Sequence, residues 1–149
     1  MERNWWLIAG GSLSAVAALL HVATVFGGGD WYRFFGAGEA MARGAERGSL
    51  LPPLLTLGIA AILSAWAAYA FAGAGLMRRL PLMRAALVAI TAVYLLRGLA
   101  LFPTFMLRPD LADSFAVWSS LIVLIYGTAY AVGTWKAWPA LSARGLSTA

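Results

Sequence analysis

Few residues in this chain are equipped for chemistry, and most of them stand among apolar neighbours. Arg97 interrupts a hydrophobic run from Ala85 to Leu107, with Tyr94 three residues earlier on the same helical face. A central arginine costs about 2.5–3.5 kcal/mol to insert into a bilayer, so it is expected to face the bundle interior or a wet cavity, or to snorkel outward. His21 is the single histidine, with Ser14 seven residues before it and Thr24 three after. Glu39, Arg43 and Glu46 follow in a glycine-rich stretch, where Glu39 and Arg43 stand four apart, the favourable order for a helical ion pair. Arg43 can also reach Glu46. Tyr126 and Tyr130, also four apart, lie in the last apolar run.

Together these residues suggest a binding site. Arg97, His21 and Glu39 would orient a polar head, with Tyr94, Asp30 and Tyr126 beside them. Glu39 is the expected partner of Arg97. A buried tyrosine hydroxyl needs a partner, so Tyr126 is expected to tie two helices together or to line the pocket. The bland alternative is a structural ion pair for Arg97 and a histidine bonded to a nearby carbonyl.

Other chemistry is absent from the pattern. With no cysteine there is no thiolate nucleophile, disulfide or iron–sulfur ligand set, and one histidine cannot build a bis-histidine haem site. GGGDW, residues 27–31, precedes no strand, and HExxH, GxSxG and CxxC do not occur. No catalytic residue, metal ligand or cofactor is expected, and an enzyme is the least supported class.

The elements that must hold these residues are membrane helices. Of 149 residues, 62% are hydrophobic and 11% charged, with a mean hydropathy of +0.79. Soluble domains carry about 25% charged residues. Four runs approach or exceed the roughly 20 residues needed to cross a bilayer, at about 5–26, 50–76, 85–107 and 115–138. Gly27–Gly29 are expected to end the first span. Ser49 can cap the second, with Pro52 and Pro53 in its first turn, and Pro139 follows the fourth. Alanines and Ser64 make the second span smooth on two faces, one at 60, 64, 68 and 72 and one at 61 and 65. Trp5, Trp6, Trp31, Tyr32, Trp118, Trp135 and Trp138 fall near span ends, where aromatic rings meet lipid headgroups.

The connection 27–49 is long, and Gly36, Ala40, Gly44 and Gly48 recur at four-residue steps. It is expected to form a short amphipathic helix over the outer face. The basic residues orient the chain. Arg3, Arg78, Arg79, Arg84, Lys136 and Arg144 face one acid, Glu2, on one side. Arg33, Arg43, Arg47 and Arg108 face Asp30, Glu39, Glu46, Asp110 and Asp113 on the other. This places both termini in the cytoplasm, and the basic residues read as topology signals rather than as a nucleic-acid surface.

The fold expected is therefore an all-α integral membrane protein. It is a single transmembrane domain over residues 1–149, a four-helix bundle with a short outer helix between the first two spans, in a membrane of bacterial inner type. The function expected is binding or transport of a lipid or small apolar molecule through an outward-facing pocket with a polar head. A proton- or ion-coupled transporter and an accessory subunit of a membrane complex are the alternatives. The partners are membrane lipids, a small apolar ligand, and a second copy or another membrane protein.

Overall fold

The computed structural model describes residues 3–107 and 114–142. Those residues form six helices: α1 (Trp5–Phe34), α2 (Glu39–Glu46), α3 (Leu51–Gly73), α4 (Met83–Leu99), α5 (Leu101–Leu107) and α6 (Ser114–Ser142). There is no strand among them. Four stretches, Trp5–Phe34, Leu51–Gly73, Met83–Leu107 and Ser114–Ser142, are long and apolar enough to cross a membrane. Large apolar side chains point outward along them, among them Phe26, Leu96, Trp118 and Trp135. Water would penalise such a surface and lipid would not. The chain is a membrane protein built of helices, the form in which a spanning backbone can satisfy its own hydrogen bonds. Glu2, Arg108, Pro109, Asp110, Asp113 and Arg144 lie outside the described residues.

The ends of these helices follow local chemistry. Asn4 precedes α1, and its Oδ1 accepts the Leu7 backbone N–H at 3.3 Å, the bond of an N-cap. The Ser49 hydroxyl accepts the Leu51 N–H at 3.3 Å before α3. Pro52 and Pro53 then occupy the first turn, where a missing N–H costs least. Pro103 brings no N–H to the Leu99 carbonyl, and the helix is interrupted at Ala100 before α5 continues.

Four expectations change. Gly27–Gly29 bend the first helix rather than end it: Gly28 takes φ 67° and ψ −156°, a region open to glycine, and helix resumes to Phe34. α6 runs through Pro139 to Ser142. The four-residue stripe of small residues does not form, because α2 holds Ala40 and Gly44 while Gly36 and Gly48 adopt positive φ outside it. On α3 the buried face runs through Ala60, Leu63, Ala67 and Ala70, while Ala61, Ser64 and Ala65 are exposed. Spacings of three and four follow the helical repeat more closely than a strict step of four.

The chain divides into two compact units. One comprises residues 1–13 and 66–149. Here α4 buries Met83, Leu87, Ile90, Tyr94 and Gly98 along one face. α6 packs on it closely enough that a Cβ on Gly98 would lie 2.6 Å from Leu124, and one on Gly127 would lie 2.7 Å from Leu95. The other unit, residues 14–65, holds most of α1, all of α2 and the first part of α3. Its centre includes the fully buried Tyr32 and Ala42.

Candidate functional site

In the unit of residues 14–65, the charged groups gather around Arg33. The bend at Gly28 and the resumed helix carry this residue to α2. Its Nε and Nη2 donate to the two oxygens of Glu39 at 2.9 and 3.1 Å, a two-pronged grip. Its Nη1 donates to Glu46 at 2.6 Å and lies 3.4 Å from Asp30. Arg43 donates to Glu39 at 2.8 Å, the i,i+4 pair. Glu46 is taken by Arg33, not by Arg43 as its spacing allowed. The Arg33 guanidinium first, and Arg43 second, hold the Glu39 carboxyl down at about 2 from an ordinary 4.5. Glu46 is also lowered, chiefly by Arg33. Arg33 thus contacts all three carboxylates of the described residues.

The expected pairing of Arg97 with Glu39 is replaced. Glu39 is held by Arg33 and Arg43, and Arg97 Nη1 donates to Ser120 Oγ on α6 at 3.2 Å. Ser120 is buried, whereas Arg97 is exposed. Its unit contains no carboxylate among the described residues. His21 is half-buried, and its Nδ1 donates to the Ala17 carbonyl at 2.7 Å, one turn earlier on α1. That bond puts the Nδ1 proton in place and leaves Nε2 as the second ring nitrogen. Thr24 likewise bonds back to the Leu20 carbonyl at 2.8 Å.

Tyr94 and Tyr126 are brought together. Their ring centroids lie 5.4 Å apart, with Tyr130 at 5.3 Å and Trp66 at 4.9 Å from Tyr94. These separations suit edge-to-face and tilted aromatic packing. Tyr130 Oη, rather than that of Tyr126, makes a tie between helices, donating to the Trp66 carbonyl of α3 at 3.0 Å. One turn separates Tyr94 from Arg97 along α4, and Ser120 lies about two turns before Tyr126 and about three before Tyr130 on α6. A polar step and an aromatic cluster therefore share the α4–α6 pair.

Several structural contacts escaped the sequence reading. Besides capping α1, Asn4 donates from Nδ2 to the Gly133 carbonyl of α6 at 2.7 Å. Its position before an apolar run was a legible capping signal, but its partner 129 residues away was not. Tyr32, assigned to the interfacial belt, is buried, and its Oη accepts from Thr56 Oγ1 at 3.2 Å. Arg33 had one local hint, Asp30 three residues before it.

Four other cations form a different feature. A cleft of about 1030 Å³ opens at the start of α1, the segment after α3 and the end of α6. Arg3, Arg78, Arg79 and Lys136 line it. Arg79 Nη2 donates to the Ala140 carbonyl at 2.8 Å, satisfying a carbonyl near the end of α6. Arg84 stands over the Trp138 ring, 4.2 Å from its centroid.

No family model, curated protein or solved structure matches this chain.

Proposed function

We propose that the chain is a small four-span membrane protein that binds or carries a lipid or small apolar molecule, holding its polar head at Arg97. The observation that carries this reading is the company Arg97 keeps. A guanidinium in an apolar span is costly unless it is neutralised or wetted. Here it is exposed and meets the neutral Ser120, with no carboxylate among the described residues of its unit. An anionic or strongly polar group on a bound molecule would complement its charge. Tyr94 and Tyr126 stand on the helices that carry Arg97 and Ser120, with Trp66 of α3 packed against Tyr94, and this aromatic cluster supports an apolar body beside the polar head. His21, Glu39 and Asp30 have local partners of their own, and the reading does not depend on them.

The orientation proposed places both termini in the cytoplasm of a bacterial-type inner membrane. In that orientation α2 lies at the outer surface. Its support is the convergence of Arg3, Arg78, Arg79 and Lys136 on one cleft, which suits a single basic face.

Native mass spectrometry of the protein, extracted gently from its own membrane, tests the site. The wild type is expected to carry a discrete small-molecule mass that Arg97→Ala loses while remaining monodisperse. Equal retention by both proteins, or a bare wild type, removes Arg97 from any ligand site.

A further inference from the structure

The cleft at the basic end exceeds what membrane topology requires. A topology signal needs only that basic residues fall on one side of the bilayer. Here cations from three distant parts of the chain converge on one hollow: Arg3 before α1, Arg78 and Arg79 after α3, and Lys136 in α6. Among the described residues, no carboxylate lines it. Four like charges in one cleft repel one another, and an anion seated among them relieves that repulsion.

The cations differ in their freedom. Arg79 is tethered through one nitrogen to the Ala140 carbonyl, which fixes its guanidinium at the rim and leaves other N–H groups to donate. Arg84 is engaged by Trp138 and does not line the cleft. Arg78 and Lys136 are exposed.

The apolar lining narrows the choice of anion. Trp5, Trp6, Leu76 and Met77 line the same hollow, and all four are exposed. A free phosphate has no use for such surface, whereas a phospholipid presents a phosphate and apolar chains side by side. Tryptophan rings are also suited to headgroup depth.

We propose that this cleft binds the phosphate of an anionic glycerophospholipid, with Arg78, Arg79, Arg3 and Lys136 around the headgroup and Trp5, Trp6, Leu76 and Met77 against the upper acyl chains. The site lies in one unit, shares no residue with the Arg97 site, and does not rest on the function proposed for it.

The test uses the full chain in detergent, titrated with phosphatidylglycerol or with phosphatidylcholine of the same acyl chains, and read by native mass spectrometry. The wild type is expected to retain phosphatidylglycerol about tenfold better or more, as a few juxtamembrane cations can provide. The double variant Arg78→Gln, Lys136→Gln should lose most of that preference. The charge-preserving pair Arg78→Lys, Lys136→Arg should keep it, which separates headgroup binding from a failure to fold. Removing two cations elsewhere, by Arg43→Gln and Arg47→Gln, should leave it intact. The proposal is overturned if the wild type shows no preference or if the double glutamine variant keeps it. It is also overturned if inorganic phosphate displaces phosphatidylglycerol at equimolar concentration, since the apolar lining would then add nothing and the site would be one for free phosphate.

Discussion

Arg97 and Asn4 show what a single polar side chain does in an apolar helix. Arg97 stands out in the sequence because a charge in such a run is expensive. Its partner is a different matter, since a guanidinium reaches whatever neighbouring helices present, and here that is Ser120. Asn4 draws no attention by charge, yet it spends both ends of its amide: Oδ1 caps α1, and Nδ2 binds the Gly133 carbonyl. Asn4→Ala removes both bonds. A lost cap costs about 0.5–2 kcal/mol and a neutral hydrogen bond about 1 kcal/mol. The variant is therefore expected to lose about 1–3 kcal/mol, seen as a lower midpoint of thermal unfolding in detergent. An unchanged midpoint would mean that neither bond matters in the folded protein.

At the scale of elements, close approach of helices is the controlling feature. The pair α4 and α6 meets where Gly98 faces Leu124 and Gly127 faces Leu95. In each case the leucine backbone nitrogen would also stand 3.1 Å from an added Cβ, so a side-chain rotation alone cannot make room. Without a strong hydrophobic force between helices in lipid, such close packing supplies much of their affinity. Gly127→Ala is expected to destabilise the protein by about 1–3 kcal/mol, the usual cost of overpacking. Circular dichroism melts in detergent would show it, whereas Gly58→Ala, at an exposed position with nothing within 4 Å, should change little. The bend at Gly28 acts on a longer lever. By letting helix resume to Phe34, it brings Arg33 to α2 and sets the whole ion cluster.

At the scale of the whole molecule, the charges of the described residues divide unevenly between the two units. The described residues of the unit 14–65 hold three arginines and three carboxylates, with all three acids on Arg33. The described residues of the other unit hold six cations and no acid. Only the first set has carboxylates to lose on acidification. Glu39 titrates near 2 in the folded chain, against 4.5 ordinarily, so it binds protons less readily when folded. The stabilisation from its pairing is complete above 4.5 and is lost as pH falls from 4.5 towards 2. Hydrogen exchange of residues 39–46 is expected to be unchanged from pH 7 to 5, after correction for intrinsic rates, and to accelerate below 4. The segment around Tyr94 should show no such step. Acceleration that begins near pH 6 would place control outside the Arg33 cluster.

The sequence by itself determined the class of molecule. Four long apolar runs with little charge can be satisfied only by helices in lipid, whatever their arrangement, because each backbone must bond to itself. It also indicated a short helix within residues 27–49, which the structure places at Glu39–Glu46, and its Glu39–Arg43 pair, since both are local consequences of helical spacing. Three contacts were decided only by the tertiary structure. Arg33, past a bend that glycines merely permit, took the acid expected for Arg97. Tyr130, not Tyr126, tied α6 to α3, because hydroxyls four residues apart differ in which backbone they face. Four cations that read as separate topology signals came to line one cleft. In each case the deciding partner lies far along the chain or beyond a bend, where residue type and spacing carry no record of distance.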